Sequence, residues 1–261
     1  MRSAANRILA HRLTGEKSAA YIEDLRLGAV PGRYLGRLLA GTDLSSLSVE
    51  ALIGLLLRTK RPQIFAERAV HGDGRDWTRG ELSILGDLSM AARVVVYDDG
   101  RHANPVVHDQ SFEAGLVFTP GALLDNGQGQ VPADWEEATT DGEIDPQKYT
   151  RLYERRLVPV LAHINHAAQK AGKEALVTIP GLGCGQFAGR FRGQLGDELK
   201  NALAAILAVH GERLAAIRAV YYDPYRECQN ERHEIGGISY LVRPLMMGNP
   251  DRPQLCRPVE Y

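Results

Sequence analysis

From Tyr149 onward the chain switches between two hydrophobic periods. Leu152, Tyr153, Leu157, Val160, Leu161, Ile164 and Ala168 recur at the spacing of one helical face, and Gly172 fits the end of that helix. Ala175 to Ile179 then reads as a strand, and a glycine-rich stretch follows it. Leu195, Leu199, Leu203, Ile206 and Leu207 form the apolar stripe of a second helix. Ala215 to Tyr222 is a further strand, stopped by Asp223-Pro224-Tyr225, and Ile238 to Val242 is the last. Upstream, Arg93 to Tyr97 is a β-branched run ending in Asp98-Asp99-Gly100. Gly115 to Thr119 is a second run, ended by Pro120-Gly121.

The first 85 residues read differently. Ser18 to Leu27 predicts a short helix stopped near Gly28, and Leu35, Leu38 and Leu39 mark another after the Pro31-Gly32 turn. Ser48 caps a helix through Ala51 to Leu57, and Asp76 to Leu82 starts one more. No periodic strand is evident there. Residues 125 to 147 read as a long polar loop, a length that is usually functional in a compact domain. These elements predict an N-terminal helical segment, residues 1–85, and an α/β domain, residues 86–261, with a layered sheet and helices on both faces. Ligands of such sheets bind beyond the carboxyl ends of the strands. Four polar or glycine-rich segments follow strand ends here: Asp98 to Gly100, Thr119 to Gln130, Gly181 to Gly189, and Asp223 to Tyr225. Convergence on one cleft is the expectation.

Composition narrows the partners. The 261 residues are 44% hydrophobic and 24% charged, ordinary for a globular protein, and the net charge of −1 gives no electrostatic case for nucleic acid. Apolar runs such as Ala51 to Leu57 are too short to span a bilayer, so no membrane partner is expected. With no signal-peptide pattern, a cytoplasmic location is the expectation. The three cysteines, Cys184, Cys228 and Cys256, are widely spaced and odd in number, which points to reduced thiols.

The candidate chemistry centres on Val177 to Gly189. Gly181, Gly183, Gly185 and Gly189 allow positive φ and close backbone approach, so successive N–H groups can form an anion nest, with the next helix adding the positive end of its dipole. A diphosphate suits that geometry; a tight turn is the structural alternative. There is no GK[ST], and the GxGxxA-like Gly183 to Ala188 falls late in the chain. Cys184 near a helix start offers a nucleophile, or a small residue in a crowded turn. Asp125-Asn126-Gly127 and Asp134-Trp135-Glu136-Glu137 bring carboxylates that orient sugar hydroxyls, activate water or hold a cation, or that merely face solvent. Tyr97, Tyr222 and Tyr225 at strand ends suit purine stacking, or a core with a polar rim. His163 and His166 share a helix face, and His102 and His108 flank a loop, but neither pair has further evident ligands, so no metal site and no cofactor are expected.

Taken together, four stretches resemble the macrodomain superfamily of ADP-ribose-binding proteins, and most closely its divergent branch typified by the bacterial effector MavL. They are Val94 to Gly100; Phe118 to Leu124 with Pro132 to Trp135; Thr178 to Gly189; and Tyr222 to Tyr225 with Arg243-Pro244. The resemblance implies a three-layer α/β/α fold with a mixed sheet, to which the N-terminal helical segment is an addition. It also implies ligand contacts from Asp98 or Asp99 to adenine, from Thr119 and Asn126, and from Gly181, Gly183, Cys184, Gly185, Gln186, Phe187, Ala188 and Gly189 around the diphosphate and distal ribose. Tyr225 is the implied adenine-stacking ring. Asp134, Glu137 and Asp125 take the place of catalytic acids, although Asp-Trp-Glu-Glu matches the Gln-Glu-Glu of related glycohydrolases only loosely, and the Asn-Ala-Asn and triple glycine common in macrodomains are absent. The implied activity is metal-independent removal of ADP-ribose from a modified protein; carried to the substrate, the resemblance implies arginine-linked ADP-ribose on ubiquitin. The rival readings are a non-catalytic reader of ADP-ribose or a related nucleotide, and a cysteine hydrolase using Cys184.

Overall fold

The computed structural model describes residues 6–60, 75–97, 110–125 and 131–247. The chain is α/β. Its largest core is built on a four-stranded mixed sheet of order β6-β7-β9-β8, with β6 Ala175–Pro180, β7 Ile217–Asp223, β8 Glu231–Ile235 and β9 Ile238–Val242. β6, β7 and β9 run parallel, with Ile179 beside Tyr222 and Tyr222 beside Val242, so their carboxyl ends open on one edge. β7 and β9 are buried almost throughout, as central strands covered on both faces must be, and they read as continuous apolar runs.

Two long helices, α6 Pro146–Ala171 and α7 Leu195–His210, pack together on one face of this sheet. The reverse face presents Ala219, Tyr221 and Leu241, none of them exposed. α6 is fixed at both ends by its own sequence. Asp145 accepts from the amides of Gln147 and Lys148, Pro146 takes the first helical position, and Gly172 closes the helix in the left-handed region at φ 61°.

A second, antiparallel sheet joins β1 Arg7–Leu9, β2 Ser89–Val96 and β3 Phe112–Phe118. Its inner face, Leu9, Ala91 and Val117, rests on Val160 and Ile164 of α6. Four helices, α1 Arg12–Arg26, α2 Arg33–Leu39, α3 Val49–Thr59 and α4 Arg79–Gly86, form a separate core around Leu35, Leu52, Leu56 and Ile84. Ser48 caps α3 as expected, and Thr78 with Glu81 forms a capping box at α4.

Several expectations change. β1 lies inside the segment read as strand-free; three residues are too few to show a period, and the strand exists because β2 offers it an edge. β8 was not expected because Glu-Arg-His-Glu carries no apolar alternation; it is the outer strand of its sheet, where charge is tolerated and blocks further pairing. Within the expected polar loop, residues 131–147 hold a short helix α5 Trp135–Ala138 and a hairpin of β4 Thr139–Thr140 and β5 Glu143–Ile144. Among the described residues, no helix is long and apolar enough to cross a membrane.

Candidate functional site

The glycine stretch leaves β6 at the carboxyl edge of the parallel strands and wraps over the start of α6's buried face. Gly183 holds φ +76° and Gly189 φ +54°, which side chains rarely adopt. A Cβ on Gly121 would fall 2.1 Å from the Gly183 nitrogen, so the loop after β3 and the loop after β6 touch backbone to backbone. A Cβ on Gly189 would fall 2.7 Å from the Asp125 Cβ and 3.2 Å from its Oδ2. Leu124 N–H donates to the Phe187 carbonyl at 3.0 Å, and Gly181 lies against Pro224. The loops after β3, β6 and β7 therefore meet at one place, as the sequence predicts. Of the expected ligand residues, Asp125 and Gly181 to Gly189 meet in this assembly, and Tyr225 follows the Pro224 that lies against Gly181; Thr119 bonds to the Ser89 hydroxyl, on the antiparallel sheet; Asp98, Asp99 and Asn126 lie outside the described residues.

The helix-dipole element of the expectation does not hold. The glycine loop enters a 3-10 stretch, Gln186–Phe191, and α7 starts only at Leu195. The amide of Gly196 in the first turn of α7 is already taken by the Glu227 carboxylate at 2.6 Å. Within the loop, the amides of Leu182, Cys184 and Ala188 close local turns, whereas the exposed Gly185 amide has no bond among the described residues. Cys184 faces inward: its thiol is buried beside the Leu182 carbonyl and the Tyr222 hydroxyl, and burial pushes it up to about 12. A thiol buried and held protonated in this way packs the turn rather than attacking a substrate.

Tyr225 is half exposed and sits at φ +63°, unusual for an aromatic residue. Buried Asp223 holds it there, accepting from the amides of Tyr225 at 2.8 Å and Leu245 at 2.9 Å. The Arg226 guanidinium lies 5.2 Å from the Tyr225 ring centroid, and exposed Met246 donates its amide to the Tyr225 carbonyl. The result is an apolar, cation-edged shelf beside the loop.

Two of the three expected carboxylates, Asp134 and Glu137, are held in ion pairs. Asp134 is 1% exposed; Oδ1 accepts from Arg156 Nη2 at 2.8 Å and Oδ2 from the Leu123 amide at 2.7 Å. Glu137 pairs with Lys17 of α1 at 2.8 Å and with Arg155. Both acids belong to a network closed by Asp87, whose buried carboxylate receives Lys17, Arg155 and Arg156. Burial alone would raise the Asp87 and Glu137 carboxyls, but these cations outweigh it and hold both below their ordinary values. Three cations and three carboxylates thus balance in one cluster linking α1, α4's end, α5 and α6. Asp125 is the member of the expected trio that lies against the glycine loop.

Tyr153, Arg156, Asp87, Lys17, Asp223 and Glu227 were not among the expected site residues. One signal was legible: Arg156 interrupts the apolar stripe of α6 between Tyr153 and Leu157, and a charge on a core face demands buried partners. Among the described residues, no group of three or more His, Cys, Asp or Glu side chains is arranged to hold a metal ion. An open cavity of about 540 Å³ lies elsewhere, on the helical segment, lined by Tyr21, Leu27, Val30 and Arg79. One protein family, described as "Macrodomain effector MavL", matches the chain over residues 6–261. A comparison with curated proteins returned no match.

Proposed function

The chain belongs to the MavL macrodomain effector family, and from that premise we propose that it binds ADP-ribose across the joined loops and hydrolyses its bond to a modified protein. The observation that carries this reading is the placement of Asp125 against Gly189, where the acid-bearing loop meets the glycine loop. In this reading the diphosphate lies along residues 181–189, with the Gly185 amide as a donor, and adenine rests on the Tyr225 and Met246 shelf. Asp125 orients the distal ribose and accepts a proton from water. Water adds to C1″ as the bond from C1″ to the modified side chain breaks, the leaving nitrogen or oxygen takes a proton from solvent, and Asp125 afterwards returns its own to solvent. Asp134 and Glu137 act indirectly, by fixing the loop that presents Asp125. Arginine-linked ADP-ribose on ubiquitin is the substrate we put first, on the family relationship.

The test is incubation with mono-ADP-ribosylated ubiquitin, following release of ADP-ribose by mass spectrometry and binding of free ADP-ribose by calorimetry. Wild type should release ADP-ribose. Asp125→Asn should bind within about threefold of wild type yet turn over about 10² to 10⁴ more slowly, the range for losing a general base. The second reading, a non-catalytic reader, draws on the engagement of Asp134 and Glu137 in ion pairs. It predicts binding without release on any linkage. No binding at all would sink both.

A further inference from the structure

We propose that Tyr153 is a positioning residue whose single hydroxyl sets the alignment of the two ligand loops; this rests on the ADP-ribose reading above. Tyr153 is fully buried on α6, beneath the seam where Gly121 meets Gly183. Its oxygen accepts the Ala122 amide at 3.0 Å, from the loop after β3, and its proton goes to the Leu182 carbonyl, in the loop after β6. Tyr149 approaches the same oxygen at 3.5 Å. The hydroxyl's one proton and its lone pairs are therefore committed, which leaves no capacity for proton transfer to a substrate. What remains is geometry.

The comparison with other buried tyrosines isolates this role. The Tyr240 hydroxyl donates to the Lys200 carbonyl of α7, and the Tyr222 hydroxyl donates to the Gly196 carbonyl of α7 and meets one of the two loops, at the Cys184 thiol. Tyr153 joins two loops that no secondary structure connects, and it does so at consecutive residues of a locked segment. Gly121's carbonyl is held by Arg156, Ala122's amide by Tyr153, Leu123's amide by Asp134 and Leu124's amide by the Phe187 carbonyl. Tyr153 and Arg156, three residues apart on one helix face, thus anchor one loop. The Leu124 amide ties that loop to Phe187 directly, and Tyr153 ties it to Leu182 from beneath, through a side chain rooted on α6. A ligand gripped by both loops feels any change in their separation, because positioning errors of about 1 Å are costly.

The experiment compares full-length wild type, Tyr153→Phe and Tyr149→Phe by calorimetry with free ADP-ribose and by amide hydrogen exchange without ligand. Tyr153→Phe leaves the Ala122 amide and the Leu182 carbonyl unpaired. It should weaken ADP-ribose binding about tenfold or more and speed exchange in residues 121–124 and 181–184 together. Tyr149→Phe, equally buried but bonded to neither loop, should change binding less than about twofold even if its melting temperature falls. Equal loss of affinity in both variants, or faster exchange in only one loop, would overturn the proposal. Should Tyr153→Phe fail to fold, Arg156→Lys loosens the first loop alone, with exchange rising at 121–124 and not at 181–184; no rise at either would also overturn it. If wild type binds no ADP-ribose, the ligand assignment fails. The exchange comparison then still decides whether Tyr153 couples the loops.

Discussion

At the scale of single residues, backbone approach matters as much as side-chain chemistry. Gly121 is not in a left-handed conformation; its requirement is space, since a methyl there meets the Gly183 backbone at 2.1 Å. Gly121→Ala should lower stability by about 1–3 kcal/mol, the range for forced overpacking, in urea denaturation followed by circular dichroism. It should weaken ADP-ribose binding in the same preparation, because the two loops must part to admit the methyl. Cys184 gives the opposite expectation. Its thiol stays protonated and covered, so iodoacetamide at pH 8 should leave it unmodified in the folded protein and label it in urea. Cys184→Ser should retain activity, whereas a cysteine hydrolase would lose it entirely.

At the scale of elements, α6 is the organiser: one face builds the sheet core while Tyr153, Arg155 and Arg156 reach the site and the helical segment. Asp87, just past the end of α4, is the hub of this arrangement and its carboxylate is fully buried. Asp87→Asn removes the counter-charge from two guanidinium groups and an ammonium, and should cost about 3–5 kcal/mol in equilibrium unfolding. How much of this the sequence discloses depends on whether the cause is local. The α6 stripe and its Gly172 cap, the central strands β7 and β9, and the Ser48 cap are set by nearby residues and were legible. So was the glycine stretch as the place where strand ends converge. β1 owes its existence to a strand about 80 residues away, and local alternation carries no trace of that. β8 is the near arm of a hairpin with β9 across Gly236-Gly237, and its charged sequence masked that local signal. The engagement of Asp134 and Glu137 in ion pairs was hidden for the same reason as β1: their partners, Arg156, Arg155 and Lys17, stand 22, 18 and 120 residues away in sequence.

At the scale of the whole molecule, the helical segment is wired to the site rather than appended to it. β1 pairs with β2 and Lys17 reaches Glu137, so the ion cluster spans both regions. Its pH dependence follows from the depressed carboxyls. Asp87 and Glu137 titrate lower in the folded chain than the roughly 4 expected when unfolded, so their stabilisation is complete above that pH and is lost as pH falls below it. The melting temperature should be flat from about pH 6 to 8 and drop below about pH 4, with a shallower acid limb in Asp87→Asn. The same wiring imposes an order on folding. Asp87 is 69 residues ahead of Arg156 in the chain. At about 5–20 residues per second of synthesis, the four-helix core emerges about 3–14 s before its buried carboxylate can meet the Arg156 guanidinium. A nascent chain in that interval holds an apolar cluster whose acid has Lys17 but neither guanidinium group, so a ribosome stalled before residue 156 should display a segment that chaperones still bind and proteases still cut.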